Sequence, residues 1–172
     1  MVARIATRVL LFFSSYSPLF IILAVRNLGH SVTGSEILLG ISIISLLGLA
    51  MFLRAANQLA PHNVTVTRVV SRDAEAMAYI VTYLIPFLGI SLSDPTDAVS
   101  LGIMFGLIAV LYVRTDLIYI NPILSLLGYR LFEVETEGGK TSALVCKRDY
   151  VKTGSLIAIV SLDDYVLLEK KE

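Results

Sequence analysis

The chain has 172 residues, of which 56% are hydrophobic and 16% charged, and its 14 basic and 14 acidic side chains cancel. With a mean hydropathy of +0.78 it is far more apolar than a typical soluble domain, for which roughly 25% charged residues are usual, so the composition is that of an integral membrane protein. The balanced charge excludes an argument for nucleic-acid binding from net charge, and the single cysteine, Cys146, excludes an internal disulfide and any paired-cysteine metal motif.

Four apolar runs approach the roughly 17 to 25 residues that a helix needs to cross the hydrocarbon. The first, about 9–25, follows Arg4 and Arg8. It exceeds the apolar region of a signal peptide and lacks a small-x-small cleavage site, so it is expected to be retained as a spanning helix. It contains "SSYSP" at 14–18, and the second run, about 37–53, contains Gly40, Ser42, Ser45 and Gly48. Such small and polar residues belong inside a bundle rather than against lipid. The third run, about 76–92, is introduced by Ser71 as a candidate N-cap, with Asp73 and Glu75 suited to the positive end of a helix dipole. The fourth is expected at about 98–118.

Orientation follows from lysine and arginine in the flanks, because the cytoplasmic side carries the excess. Arg4 and Arg8 precede the first run, Arg54, Arg68 and Arg72 lie between the second and third, and Arg130, Lys140, Lys147, Arg148, Lys152, Lys170 and Lys171 follow the fourth. The alternate connections hold Arg26 alone. Both termini and the segment 54–75 are therefore expected in the cytoplasm, and the Asn63 glycosylation sequon is read as chance.

Arg114 and Asp116 interrupt the end of the fourth run. At about 1.5 Å per residue from Ala98, Arg114 lies roughly 24 Å along a layer of about 30 Å, near the cytoplasmic boundary. Arginine at that depth reaches headgroups, and Tyr112, Tyr119 and Tyr129 would form an interfacial belt. Alternatively, since residues two apart point to opposite sides of a helix, one of the charges pairs across a helix interface. Next, "NPILSLLG" reads as a short surface helix with Asn121 as N-cap, Pro122 at the first position and Gly128 past the end. "YRLFEVET", "EGG", "KTSALVCKR", "SLIAIVS" and "YVLLEK" then alternate as strands and turns. The expected fold is membrane α-helical: a four-helix transmembrane bundle over 1–120, with a small C-terminal cytoplasmic β-rich domain, including the interfacial helix, over 121–172.

Chemistry-bearing motifs are missing. "EGGKT" at 137–141 resembles the end of a phosphate-binding loop, but position 134 is Val where the loop requires Gly. His30 and His62 are expected on opposite sides of the membrane, and no HExxH, GxSxG or intramembrane carboxylate pair occurs. Neither catalysis nor a bound metal or cofactor is expected. The fourth run does carry Ala98, Gly102 and Gly106 at small-xxx-small spacing, suited to close helix packing within one chain or between copies.

"YIVTYLIPFLG" at 79–89, followed by "YINPILSLLGYRLFEVE" at 119–135 on a short chain with its tail inside, resembles the membrane subunit of the Kiwa anti-phage defence system. The resemblance implies an oligomeric inner-membrane sensor, a tetramer being one size open to it, that responds to infection and recruits a cytoplasmic DNA-binding partner without touching DNA itself. It also makes the segment 54–75 and the β-rich tail the docking surface, with Arg68, Arg72, Arg130, Lys147 and Arg148 as candidate contacts. Arg114, Asp116 and Asn121 would form the charged junction between membrane and tail. Two other classes stay open: a small channel using Ser14, Ser15, Tyr16 and Ser17 as its polar track, and an anchor for some other cytoplasmic complex.

Overall fold

A computed structural model describes residues 2–29, 32–74, 78, 81, 94–114, 121–163 and 165–170. The chain divides into two compact units, one of residues 1–50 with 79–118, the other of residues 51–78 with 119–172.

The expected four-helix transmembrane bundle with a C-terminal β-rich tail is corrected in three ways. First, the run 9–25 is two helices, α1 (Val2–Ser15) and α2 (Ser17–Asn27), bent by 49° at Tyr16. Pro18 enforces the break, since it has no N–H for the carbonyl four residues back and its ring crowds that carbonyl. Second, only α3 (Val32–Gln58) and α4 (Pro95–Arg114) are, among the described residues, single helices long and apolar enough to cross a bilayer. The bent pair raises that to three if it is one broken span. The expected helix at 76–92 lies almost wholly outside the described residues. Helix α4 begins earlier than the apolar run because Asp94 accepts a hydrogen bond from the Thr96 N–H at 2.8 Å and Pro95 takes the first turn.

The third correction concerns the strands. The segment 54–75, expected as a cytoplasmic loop, supplies the tail of α3 and then β1 (His62–Ser71). Strands β2 (Arg130–Thr136), β3 (Thr141–Cys146), β4 (Leu156–Asp163) and β5 (Val166–Glu169) complete a closed barrel in the order β1-β2-β3-β5-β4. All pairings are antiparallel except β3 with β5. Ser71, expected to cap a helix, is instead the last residue of β1, opposite Phe132.

β1 closes the barrel by serving two neighbours in turn. Its first half, His62 to Thr65, pairs with β4, and its second half, from Val66, pairs with β2 through a register shift between Val66 and Arg68. Such a bulge bends a strand and strengthens its twist, which a small closed sheet requires. The interior is filled by Val66, Phe132, Val134, Leu144, Cys146, Val151, Ile157, Ile159 and Leu167. The β2–β3 hairpin turns at Gly139, whose φ of 72° suits glycine, with the Gly139 N–H donating to Thr136 O at 2.8 Å.

Between α4 and β2 lies α5 (Pro122–Leu126). Asn121 caps it, its side-chain oxygen accepting from the Ile123 N–H at 2.9 Å. Its far end is closed by Gly128 at φ 81°, with N–H bonds from Gly128 to Ser125 O and from Tyr129 to Leu124 O. This is the paired 5→2 and 6→1 closure that ends a helix on a left-handed glycine.

Candidate functional site

Helix α3 is turned inside out relative to a helix of a water-soluble domain. Its enclosed positions are Ser35, Ser42, Ser45, Leu49 and Ala56, while Ile37, Ile43, Ile44, Leu47 and Met51 are exposed, Ile44 to 71%. Helix α4 likewise exposes Val99, Ile103, Leu107 and Val110. In water such a surface would be a severe liability, but lipid tails are as apolar as these side chains. Three of the hydroxyls inside serve helix backbones. Ser14 donates to Leu11 O at 2.9 Å, Ser45 to Ser42 O at 2.8 Å, and Ser42 reaches across to Ser17 O at 3.3 Å, beside the α1–α2 break.

Where α1, α2 and α4 meet, the core is aromatic. Phe12 lies 4.7 Å from Tyr16, 5.0 Å from Phe105 and 5.2 Å from Tyr112, centroid to centroid, and Phe105 packs edge-on against Tyr16 at 5.3 Å. Separations in this range suit the ring quadrupoles. Tyr112, expected in an interfacial belt, is instead 1% exposed within this cluster. Gly48 belongs to the seam between α1 and α3, since a Cβ there would run into the Leu10 side chain. Gly102 and Gly106 differ. Both are exposed, and a Cβ at either would meet nothing within 4 Å. With the half-buried Ala98, this ridge on α4 does not serve packing against other described residues.

Of the expected junction of Arg114, Asp116 and Asn121, two residues are described. Arg114 is the exposed last residue of α4, Asp116 lies outside the described residues, and Asn121 is buried with its oxygen committed to capping α5. Arg8, read from the sequence only as a basic flank, donates from Nη1 to Val113 O at 2.9 Å and so satisfies one of the orphan carbonyls ending α4. The start of α1 and the end of α4 therefore share one level. Because Arg114 is exposed at that level, Arg114→Lys is expected to leave detergent-extracted size and thermal stability unchanged, since either long side chain can carry its charge out to polar surroundings. A loss of either in size-exclusion or melting measurements would show that the guanidinium makes a specific contact.

The candidate docking residues sit on the barrel, mostly with acidic neighbours. Arg68 is opposite Glu135 in the β1–β2 register. Arg72 donates from Nε and Nη2 to Glu133 Oε2 at 3.2 and 3.0 Å. Arg130 lies 2.7 Å from Asp149 and 3.8 Å from Asp73, Arg148 pairs with Glu169, and Lys147 sits 4.7 Å above the Tyr129 ring. Asp73 also accepts the Leu131 N–H at 2.8 Å, extending the β1–β2 ladder by a side chain. Arg72, Arg130, Lys147 and Arg148 thus gather where β1 ends, β2 begins and β3 ends, each balanced by acid or ring. A phosphate backbone demands surplus cation, whereas this rim is suited to a protein surface of mixed charge. Burial raises the Tyr129 hydroxyl and the Cys146 thiol above their ordinary values. Cys146 is fully buried in the barrel interior, so it stays a protonated, inert thiol near neutral pH.

A family model described as "Anti-phage protein KwaA" matches residues 7–168. The chain is also similar to the Kiwa protein KwaA of Escherichia coli O55:H7 (strain RM12579 / EPEC), with 26% identity over 114 residues. That match covers 64% of this chain and 58% of the relative's length. No solved structure matches.

Proposed function

Because the chain belongs to the KwaA family of anti-phage proteins, we propose that it is the membrane-embedded, non-enzymatic subunit of a defence assembly, with a cytoplasmic barrel as its output surface. One observation carries this reading: α3 and α4 expose isoleucine, leucine, valine and methionine, α3 while enclosing serine, and the same chain builds a barrel with a largely apolar interior. The first unit is built for lipid and the second for water. In this reading both termini and both segments of the barrel face the cytoplasm of the inner membrane, in keeping with the basic flanks and with Arg8 at the level where α4 ends. Copies associate through the Ala98–Gly102–Gly106 ridge, and infection at the envelope alters that association. A cytoplasmic partner, a DNA-binding subunit by the Kiwa resemblance, docks on the charged rim of the barrel. The channel alternative is less favoured because Ser14, Ser15, Tyr16 and Ser17 are all buried among packed side chains and Ser14 commits its hydroxyl to Leu11 O.

Topology tests this reading. Thr96 and Lys140 are both exposed, whereas native Cys146 is buried with a raised pKa and supplies a silent background. Thr96→Cys is expected to react with a membrane-impermeant maleimide added outside spheroplasts, and Lys140→Cys only after the membrane is opened. Reaction of both from one side would overturn the orientation. Recovery of the chain in the soluble fraction would overturn the membrane assignment itself.

A further inference from the structure

We propose that α5 is a membrane-surface anchor whose Leu126 and Leu127 enter the headgroup–acyl boundary of the bilayer at the end of α4. The inference rests on the membrane reading above and goes beyond it, because it assigns a lipid contact to the barrel unit rather than to the spanning helices.

The helix is two-sided. Asn121 and Leu124 are buried, whereas Leu126 is 79% and Leu127 50% exposed, a high exposure for two adjacent leucines in a segment with fixed ends. Those ends are fixed by the Asn121 cap and by the glycine closure at Gly128, so the pair is held outward by defined backbone geometry. What meets this apolar tip follows from chain length. Arg114 and Asn121 are seven positions apart, and seven residues at full extension reach no further than about 25 Å. The linker therefore limits the tip to within about 25 Å of the end of α4, a distance that leaves the bilayer surface in its reach. Immediately after it come Tyr129, half-buried, and Lys147 above its ring, the aromatic and cationic residue types that settle at the headgroup level. An apolar pair flanked by an aromatic ring and an ammonium group is the arrangement of an interfacial anchor.

The chain contains no tryptophan, so each introduced one is a single reporter. Leu126→Trp, Leu127→Trp, Leu107→Trp on the exposed face of α4 and Tyr150→Trp on the barrel would each be made in the full chain. Each is then reconstituted into phosphatidylcholine–phosphatidylglycerol vesicles with or without bromine on the acyl chains. Bromine near the carbonyl end is expected to lower fluorescence at position 126 or 127 about twofold, to quench position 107 strongly when placed deeper, and to leave position 150 unchanged. Quenching at 107 with none at 126 and 127 would overturn the anchor while leaving the membrane reading intact. Blue-shifted emission at both positions that bromine does not affect would mean that protein, such as a second copy, covers the tip, and would also overturn it. Absence of quenching at 107 would instead remove the membrane reading on which the anchor depends.

Discussion

Placing a carboxylate at Val66 is expected to unfold the C-terminal strands, although they begin 64 residues further along the chain. Val66 is 2% exposed and points into the barrel with Phe132, Val134, Leu144 and Ile157. An unpaired charge there costs several kcal/mol, against a total stability of about 5 to 15 kcal/mol for a domain. Val66→Ala provides the graded control, losing about 1.5 to 3 kcal/mol of apolar burial without introducing charge. The measurement is limited proteolysis of detergent-solubilised chain. Val66→Asp should expose sites in 130–163 that are protected in the native protein, and Val66→Ala should retain protection but melt at lower temperature. Anti-phage protection should fall with the barrel in the first variant. If the C-terminal strands stay protected in Val66→Asp, β1 is not needed for closure and the barrel is misassigned.

That prediction depends on the feature that was hardest to read in the sequence. The four strands after Gly128 announce themselves by alternation, by the glycine turn at 138–139 and by the cap-and-stop signals of α5. β1 carries alternation too, in "HNVTVTRVVS", but it lies between two apolar runs, and its partners Glu133 to Thr136 and Leu156 to Ile159 are remote in sequence. Strand pairing over such distances leaves no local mark. The α1–α2 break was legible in principle, since Pro18 cannot continue a helix; the apolar run on both sides masked it, because a kinked span and a straight one have the same composition. Likewise Arg8 reads as a topology signal in one dimension, and only the fold shows its guanidinium on Val113 O. Basic residues could be located on the barrel by inspection, but not their neutralisation. Arg72 and Glu133 are 61 positions apart, and the opposition of Arg68 and Glu135 exists only through the β1–β2 register.

Leucine at Gly48 and leucine at Gly102 or Gly106 are expected to fail in opposite ways. Gly48 lies in the seam where α1 meets α3, and even a methyl group there would overlap Leu10. The atom met first is the tip of a flexible side chain, so Gly48→Ala is expected to cost little once Leu10 turns aside. Gly48→Leu must push the helices apart, and overpacking of this kind costs about 1 to 3 kcal/mol. The melting temperature of the solubilised chain should therefore fall, and membrane yield with it. At Gly102 and Gly106 nothing lies within 4 Å, and the neighbouring Val99, Ile103 and Leu107 are already exposed. A leucine at either glycine adds one more side chain to an apolar surface and should leave the fold of a single chain intact. If copies associate through this ridge, the same leucine holds the backbones apart and removes the close approach that stabilises small-residue helix pairs. Crosslinking in membranes and light scattering in detergent should then report smaller assemblies for Gly102→Leu and Gly106→Leu, with unchanged melting of the dissociated chain. Protection against phage should be lost with assembly size rather than with expression. Unchanged size in both variants would place the self-association surface elsewhere, and a lowered melting temperature of the dissociated chain would show that the ridge packs within one chain after all.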